Sequence, residues 1–291
     1  QIIEEDLPHV SQKATASNSL VSLNQSRSKM VPRVWNVPYL PNPFFTGREG
    51  VLRSLYEALH VKNFNKLAQP QILSGLGGIG KTQLAVAYTY KYFREYEFIL
   101  WVRADTRETL ISDFVALANM LGLSSRDDQD QNYAINAVKY WLSSHTTWLL
   151  ILDNAEDLMV IMDFIPAASQ GHTLLTTRAQ SVGGIALQIV IEKMGSEEGA
   201  LFLLRRAKVL LPEAPISQAH EADRVTAVKI AESLDGLPLA IDQAGAYIEE
   251  TGFGLSDYLN LYQTQRSELL KLRGELVSSH PESVVTTWSL S

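Results

Sequence analysis

Gly75, Gly80, Lys81 and Thr82 stand in "ILSGLGGIGKTQLAVAYTY" at the spacing G-x-x-x-x-G-K-T, after one apolar run and before an amphipathic one. Glycines let a backbone curl until successive N–H groups point at one place, and phosphate oxygens suit such a concavity. A helix beginning near Gly80 adds its positive end to the same point. Lys81 can reach the outer phosphates of a nucleotide, and the Thr82 hydroxyl can join the shell of a Mg²⁺ ion. Further along, in "WLLILDNAED", Leu149 to Leu152 run straight into Asp153. That fits a buried strand delivering a carboxylate to the same metal ion. Thr82 and Asp153 are therefore the expected metal-side pair.

The next residue is Asn154, where a hydrolase would use a second carboxylate. An amide cannot take a proton from water at neutral pH, although it can orient a water molecule. Glu156 and Asp157 are the nearest acids and read as surface positions. The expectation is ADP or ATP held with Mg²⁺, and hydrolysis slow or absent. Guanine is disfavoured: the one Asn-Lys pair, Asn65–Lys66, precedes the loop and continues Leu67–Ala68, so no N-K-x-D reader follows.

These residues need a frame. Short apolar runs at 72–74, 98–102, 148–152, 173–176 and 187–191 alternate with helical patterns near 81–93, 108–121, 132–142 and 156–164. Near-continuous apolar strands separated by helices predict a parallel sheet covered on both faces. The polar stretch 124–132 reads as a surface loop. Ahead of the sheet, prolines 32, 38, 41 and 43 mark an extended lead-in, and Thr46 and Glu49 have capping-box spacing at a helix start. After residue 195 the strand signal stops. Ser196 reads as a cap with Glu197 and Glu198 in the first turn, and helical stripes follow near 218–234, 239–250 and 255–272.

The 291 residues carry a net charge of −7, 46% apolar residues and no cysteine. Disulfides and thiolate metal sites are excluded, and six scattered histidines lack ligand spacing. No basic run marks a nucleic-acid surface; Arg205–Arg206 reads as a solvated helix face. No apolar run has the length of a membrane span. The acidic start without a Met and the end in "TTWSLS" read as an excised fragment of a longer chain.

"GLGGIGKTQLA", "LLILDNAED", "LLTTR" and "GLPLA", in this order, resemble the NB-ARC module of STAND-class signalling ATPases. That class includes NLR-type receptors and apoptosome proteins. "FFTGRE", "WVRAD" and "TTWSLS" are most similar to fungal NLR-like proteins with C-terminal TPR-type repeats. The resemblance covers about residues 43–291. It implies an α/β fold with a five-stranded parallel sheet of order 5-1-4-3-2, followed by a small all-helical domain.

The implied domains are a linker or disordered tail over 1–40 and a nucleotide-binding α/β domain over 41–194. A helical domain over 195–280 and the start of a truncated winged-helix domain over 281–291 follow. The implied nucleotide contacts are Gly75, Gly77, Gly78, Ile79, Gly80, Lys81, Thr82 and Gln83. Phe45, Gly47 and Arg48 would border adenine, with Pro238 packing on it from the helical domain. Asp153, Asn154 and Arg178 would face the reacting phosphate, with Arg178 sensing the γ-phosphate. The family implies a cytoplasmic switch, closed with ADP and a homo-oligomer with ATP. The winged-helix, repeat and effector domains would lie outside this chain. An immune or self/non-self role rests on the resemblance alone. The alternative reading is an AAA+-like ATPase with genuine turnover.

Overall fold

The computed structural model describes residues 31–60, 69–123, 131–166, 170–179 and 186–269. Residues 1–30 of the expected tail, most of the expected loop at 124–132 and the expected winged-helix start at 281–291 lie outside them.

Six parallel strands form one sheet in the order β1-β3-β4-β5-β2-β6. They are β1 (Val34–Trp35), β2 (Gln71–Ser74), β3 (Phe98–Arg103), β4 (Trp148–Asp153), β5 (His172–Thr177) and β6 (Leu187–Val190). Five of them, β6-β2-β5-β4-β3, follow the expected 5-1-4-3-2 order, with "LLTTR" between the phosphate-loop strand and the Asp153 strand. The sheet is not five-stranded, however. β1, inside the stretch expected to be linker, adds a sixth strand on the β3 edge. Two residues give no periodic signal, and Asn36 extends the pairing with its side chain. Its amide donates to the Trp101 carbonyl at 2.9 Å and accepts from the Trp101 N–H at 2.7 Å.

Alternation sorts the two faces. Leu73, Ile99, Trp101, Leu149 and Ile151 pack on α1 (Glu49–His60) and α2 (Lys81–Tyr92). Ile72, Leu100, Val102, Leu150 and Leu152 pack on α3 (Arg107–Met120), α4 (Gln131–Ser144) and α5 (Leu158–Met162). Leu149 to Leu152 are each 0% exposed, and burying such a side chain stabilises by about 2 kcal/mol. The α1/α2 layer is continuous with a C-terminal helical group: α6 (Ser196–Arg206), α7 (Glu221–Ser233), α8 (Pro238–Thr251) and α9 (Leu255–Leu269). Among the described residues no helix is long and apolar enough to cross a membrane.

Three local expectations change. Thr46 does not cap α1: it donates to the Phe44 carbonyl and accepts from Arg205, while Gly47 and Arg48 turn with positive φ. Ser196 is the first helical residue of α6, with Gly195 at the cap position and no side-chain cap. Arg206 is not solvated. It is 1% exposed, ion-paired to Asp242 and Glu249, and lies over the Phe44 ring.

Behind the sheet, the Tyr96 hydroxyl lies 2.8 Å from His172 Nδ1 and 2.9 Å from the Tyr88 hydroxyl. Burial, and then neighbouring His60, bring His172 down from 6.5 to about 4. An unfolded chain therefore takes up the proton first. This contribution to stability is complete above pH 6.5 and is lost as the pH falls towards 4. Urea titrations at pH 7 and pH 5 are expected to differ by about 2 kcal/mol more in the wild type than in His172→Gln. Equal pH dependence in the two proteins would remove this assignment.

Candidate nucleotide site

The phosphate loop leaves β2 at its C-terminal end and enters α2 at Lys81. β2 lies between β5 and β6, so the chain diverges to either side there, and open parallel sheets bind ligands at such a point. Gly75, Gly78 and Gly80 have φ of +147°, +72° and +92°, a region side chains with a Cβ avoid. A Cβ on Gly75 would also stand 2.9 Å from the Ile191 carbonyl. Gly77 and Gly78 form the turn, and buried Ile79 anchors it in the core.

Lys81 Nζ donates to the carbonyls of Gly75 at 2.8 Å and Leu76 at 2.9 Å. Burial first, and then the Arg178 cation, lower its pKa to about 8, against the pull of Asp153. Asp153 closes β4 and is 6% exposed. Its Oδ1 accepts from Thr82 at 2.8 Å and from Thr176 at 2.6 Å. Burial pushes this carboxyl upward; the Thr176 and Thr82 donors and Lys81 oppose the shift. Thr176 also accepts from the Asn154 N–H at 2.8 Å. Asn154 has φ of +62°, a conformation that Asn tolerates better than most residues. Arg178 follows β5 on the same sheet edge and pairs with exposed Glu156 at 3.4 Å. Asp157 caps α5, its Oδ1 accepting from the Met159 and Val160 N–H groups.

The donor set fits Mg²⁺. One carboxylate and one hydroxyl share a hydrogen bond, and Mg²⁺ usually takes one or two protein oxygens and completes its shell with phosphates and water. No cluster of three His, Asp or Glu residues among those described could hold a metal unaided.

Beside the loop, a cleft is lined by Phe45, Arg48, Ile79, Gly80, Gln83, Phe202 and Pro238, with further residues. Its largely apolar walls suit a planar ligand with apolar faces. An adjoining hollow shares Gly80, Gln83 and Pro238 and adds Gly78, Lys81, Thr82 and Asp242. The loop, Phe45, Arg48 and Pro238 thus come together, whereas Asp153, Asn154 and Arg178 gather on the strand side. Pro238 is the first residue of α8, and the next N–H, from Leu239, donates to the Gly78 carbonyl at 3.1 Å.

Several of these residues escaped the sequence reading. Thr176 carries a local signal, a hydroxyl in an apolar strand. Phe202, Asp242 and the Leu239 N–H carry none, because they arrive from more than a hundred residues away.

The chain matches the family model of the NB-ARC domain over residues 51–207. It is 26% identical to a nucleotide-binding leucine-rich repeat (NLR)-like protein of Hyaloscypha variabilis, over 88% of this chain and 28% of that one. It is 27% identical to the regulatory protein AfsR of Streptomyces griseus, over 68% of this chain and 20% of that protein. The chain thus spans 28% of the first relative's length and 20% of the second's. Among solved structures it is similar to Drosophila ORC bound to DNA, with TM-score 0.54 and 12% identity, covering 91% of this chain and 71% of that chain. It is also similar to Cdc6p of Pyrobaculum aerophilum, with TM-score 0.52 and 18% identity, covering 74% and 65%. At such identities the likeness is one of fold.

Thr176→Val removes one of the two hydroxyls on Asp153. Calorimetric titration is expected to show Mg²⁺·ADP binding weakened about tenfold, with ADP in EDTA little changed. Equal losses with and without Mg²⁺ would contradict a role for Thr176 in orienting the metal-side carboxylate.

Proposed function

The chain belongs to the NB-ARC domain family, and on that premise we propose that it is an ADP/ATP-binding switch of an NLR-like signalling protein that hydrolyses ATP slowly or not at all. One observation carries the reading: the start of α8 is bonded to the phosphate loop through Leu239 and Gly78, with Pro238 beside the cleft. A nucleotide there touches the α/β part (41–194) and the helical part (195–280) at once. It joins them, and a change of nucleotide can change their relative orientation.

In this reading the loop N–H groups from Gly75 to Thr82 and Gln83 bind phosphate, and Lys81 neutralises its charge. Phe45, Arg48 and Pro238 hold the base. Thr82 and Asp153 would hold Mg²⁺, which supplies charge neutralisation at the phosphates when bound. Arg178 discriminates the third phosphate. A ligand shifts a conformational equilibrium only through contacts that differ between states, and Arg178 is the group suited to make that difference. Asn154 offers no base, so hydrolysis rests on positioning and charge alone. The proposal extends to oligomerisation in the ATP state, cytoplasmic action and signalling within the longer protein.

The test is to denature the purified protein, release what it carries and identify it chromatographically. Stoichiometric ADP or ATP supports the switch. Lys81→Ala is expected to lose the bound nucleotide. A wild-type protein that carries neither nucleotide, and takes up neither with Mg²⁺, would overturn it. Steady turnover above about one per second, the low end of ordinary enzyme rates, would instead favour the AAA+-like ATPase.

A further inference from the structure

α6 lies along the loop that forms one wall of the base cleft and grips it at three points. Arg206 sits over the Phe44 ring. Arg205 donates to the Thr46 hydroxyl at 3.2 Å. Glu198 Oε1 accepts from the Arg48 N–H at 3.1 Å and lies 3.8 Å from Arg48 Nε. The third grip shapes the loop most closely. A Cβ on Gly47 would stand 1.9 Å from Glu198 Oε1, and both Gly47 and Arg48 have positive φ. The carboxylate therefore occupies space that a glycine leaves clear, and it bonds a strained turn.

The Arg48 side chain is 8% exposed. Its Nη1 donates to the Glu192 carbonyl at 2.6 Å, and Nε faces Glu198. Nη2 is buried without a partner, and Arg48 lines the cleft. A guanidinium only donates, and a buried donor without an acceptor is unfavourable. Arg48 is thus held on two sides, leaving its third nitrogen for a ligand atom with a lone pair. Phe202, one turn beyond Glu198 on α6, lines the same cleft.

We propose that Glu198 is a positioning residue for base recognition: it fixes the loop at 45–48 so that Arg48 Nη2 donates to a purine ring nitrogen, and does so only while α6 lies against that loop. This deepens the reading of the cleft as a nucleotide-base site and rests on it. The base contact then belongs to one arrangement of the helices: α6 moving away releases Arg48 and loosens the base, while the phosphate loop keeps its own grip.

The experiment compares two probes, Mg²⁺·ADP and Mg²⁺·pyrophosphate, which lacks base and sugar. Glu198→Ala is expected to weaken ADP about tenfold, the value of one charge-assisted hydrogen bond, and to leave pyrophosphate within about twofold of wild type. Glu198→Gln keeps an acceptor for the Arg48 N–H and is expected to recover most of the loss. Arg48→Ala should show the same split between probes, and the double variant should lose little more than either single one. Equal weakening of both probes in Glu198→Ala, or of neither, overturns the inference and leaves the proposed function standing. A wild-type protein that binds neither probe overturns both.

Discussion

One carboxylate oxygen in the floor of the site sets the arrangement around it. Asp153 Oδ1 takes hydrogen bonds from Thr82 on α2 and Thr176 on β5, and so joins α2, β4 and β5 at one atom. A buried charge without donors is costly, so the carboxylate requires donors close by, the Thr82 hydroxyl at the start of α2 among them. That requirement fixes the start of α2 against β4 and hence the aim of the phosphate loop. The apolar faces below it, sorted by strand alternation, supply the stability that lets such a polar junction exist.

On the opposite side, the C-terminal helices are held by polar contacts of a different character. Leu239 bonds the phosphate loop through backbone atoms, and Arg206 is buried between Asp242, Glu249 and Phe44. Gly245 gives the Arg206 stem its room: a Cβ there would meet Arg206 Cγ at 2.6 Å. Breaking one member of such a buried pair is strongly destabilising, so Arg206 fixes α6 against α8 as one body. Motion of α6 relative to the lead-in loop is then motion of the helical group as a whole.

Legibility in the sequence followed the range of the forces. The phosphate loop and the strand into Asp153 are local chemistry: every atom needed lies within a dozen residues, and both motifs stand where the sequence predicted. The strand order came with the family resemblance, and alternation of strands and helices alone gave only a parallel sheet. β1 was illegible because two residues have no period and Asn36 pairs through its side chain. The partner of Thr46, Arg205, lies 159 residues away, so capping-box spacing alone misleads there. Glu198 suits a helix start by its charge, and its second use on Arg48 has no local mark. Charge alone predicts a solvated Arg206, because its acids come from α8.

The segment from Val34 to Arg48 joins opposite margins of the sheet. It begins as the strand beyond β3 and ends against Glu192 and Glu198, just past β6. Five strand spacings of about 4.8 Å put those margins roughly 24 Å apart. Fifteen residues can extend to about 50 Å, so the belt is longer than the span, and Tyr90 holds its middle by donating to the Tyr39 carbonyl at 3.0 Å. An open twisted sheet has two free margins that can splay independently. Here one covalent belt runs from one margin to the other, so they cannot part by more than that segment's reach.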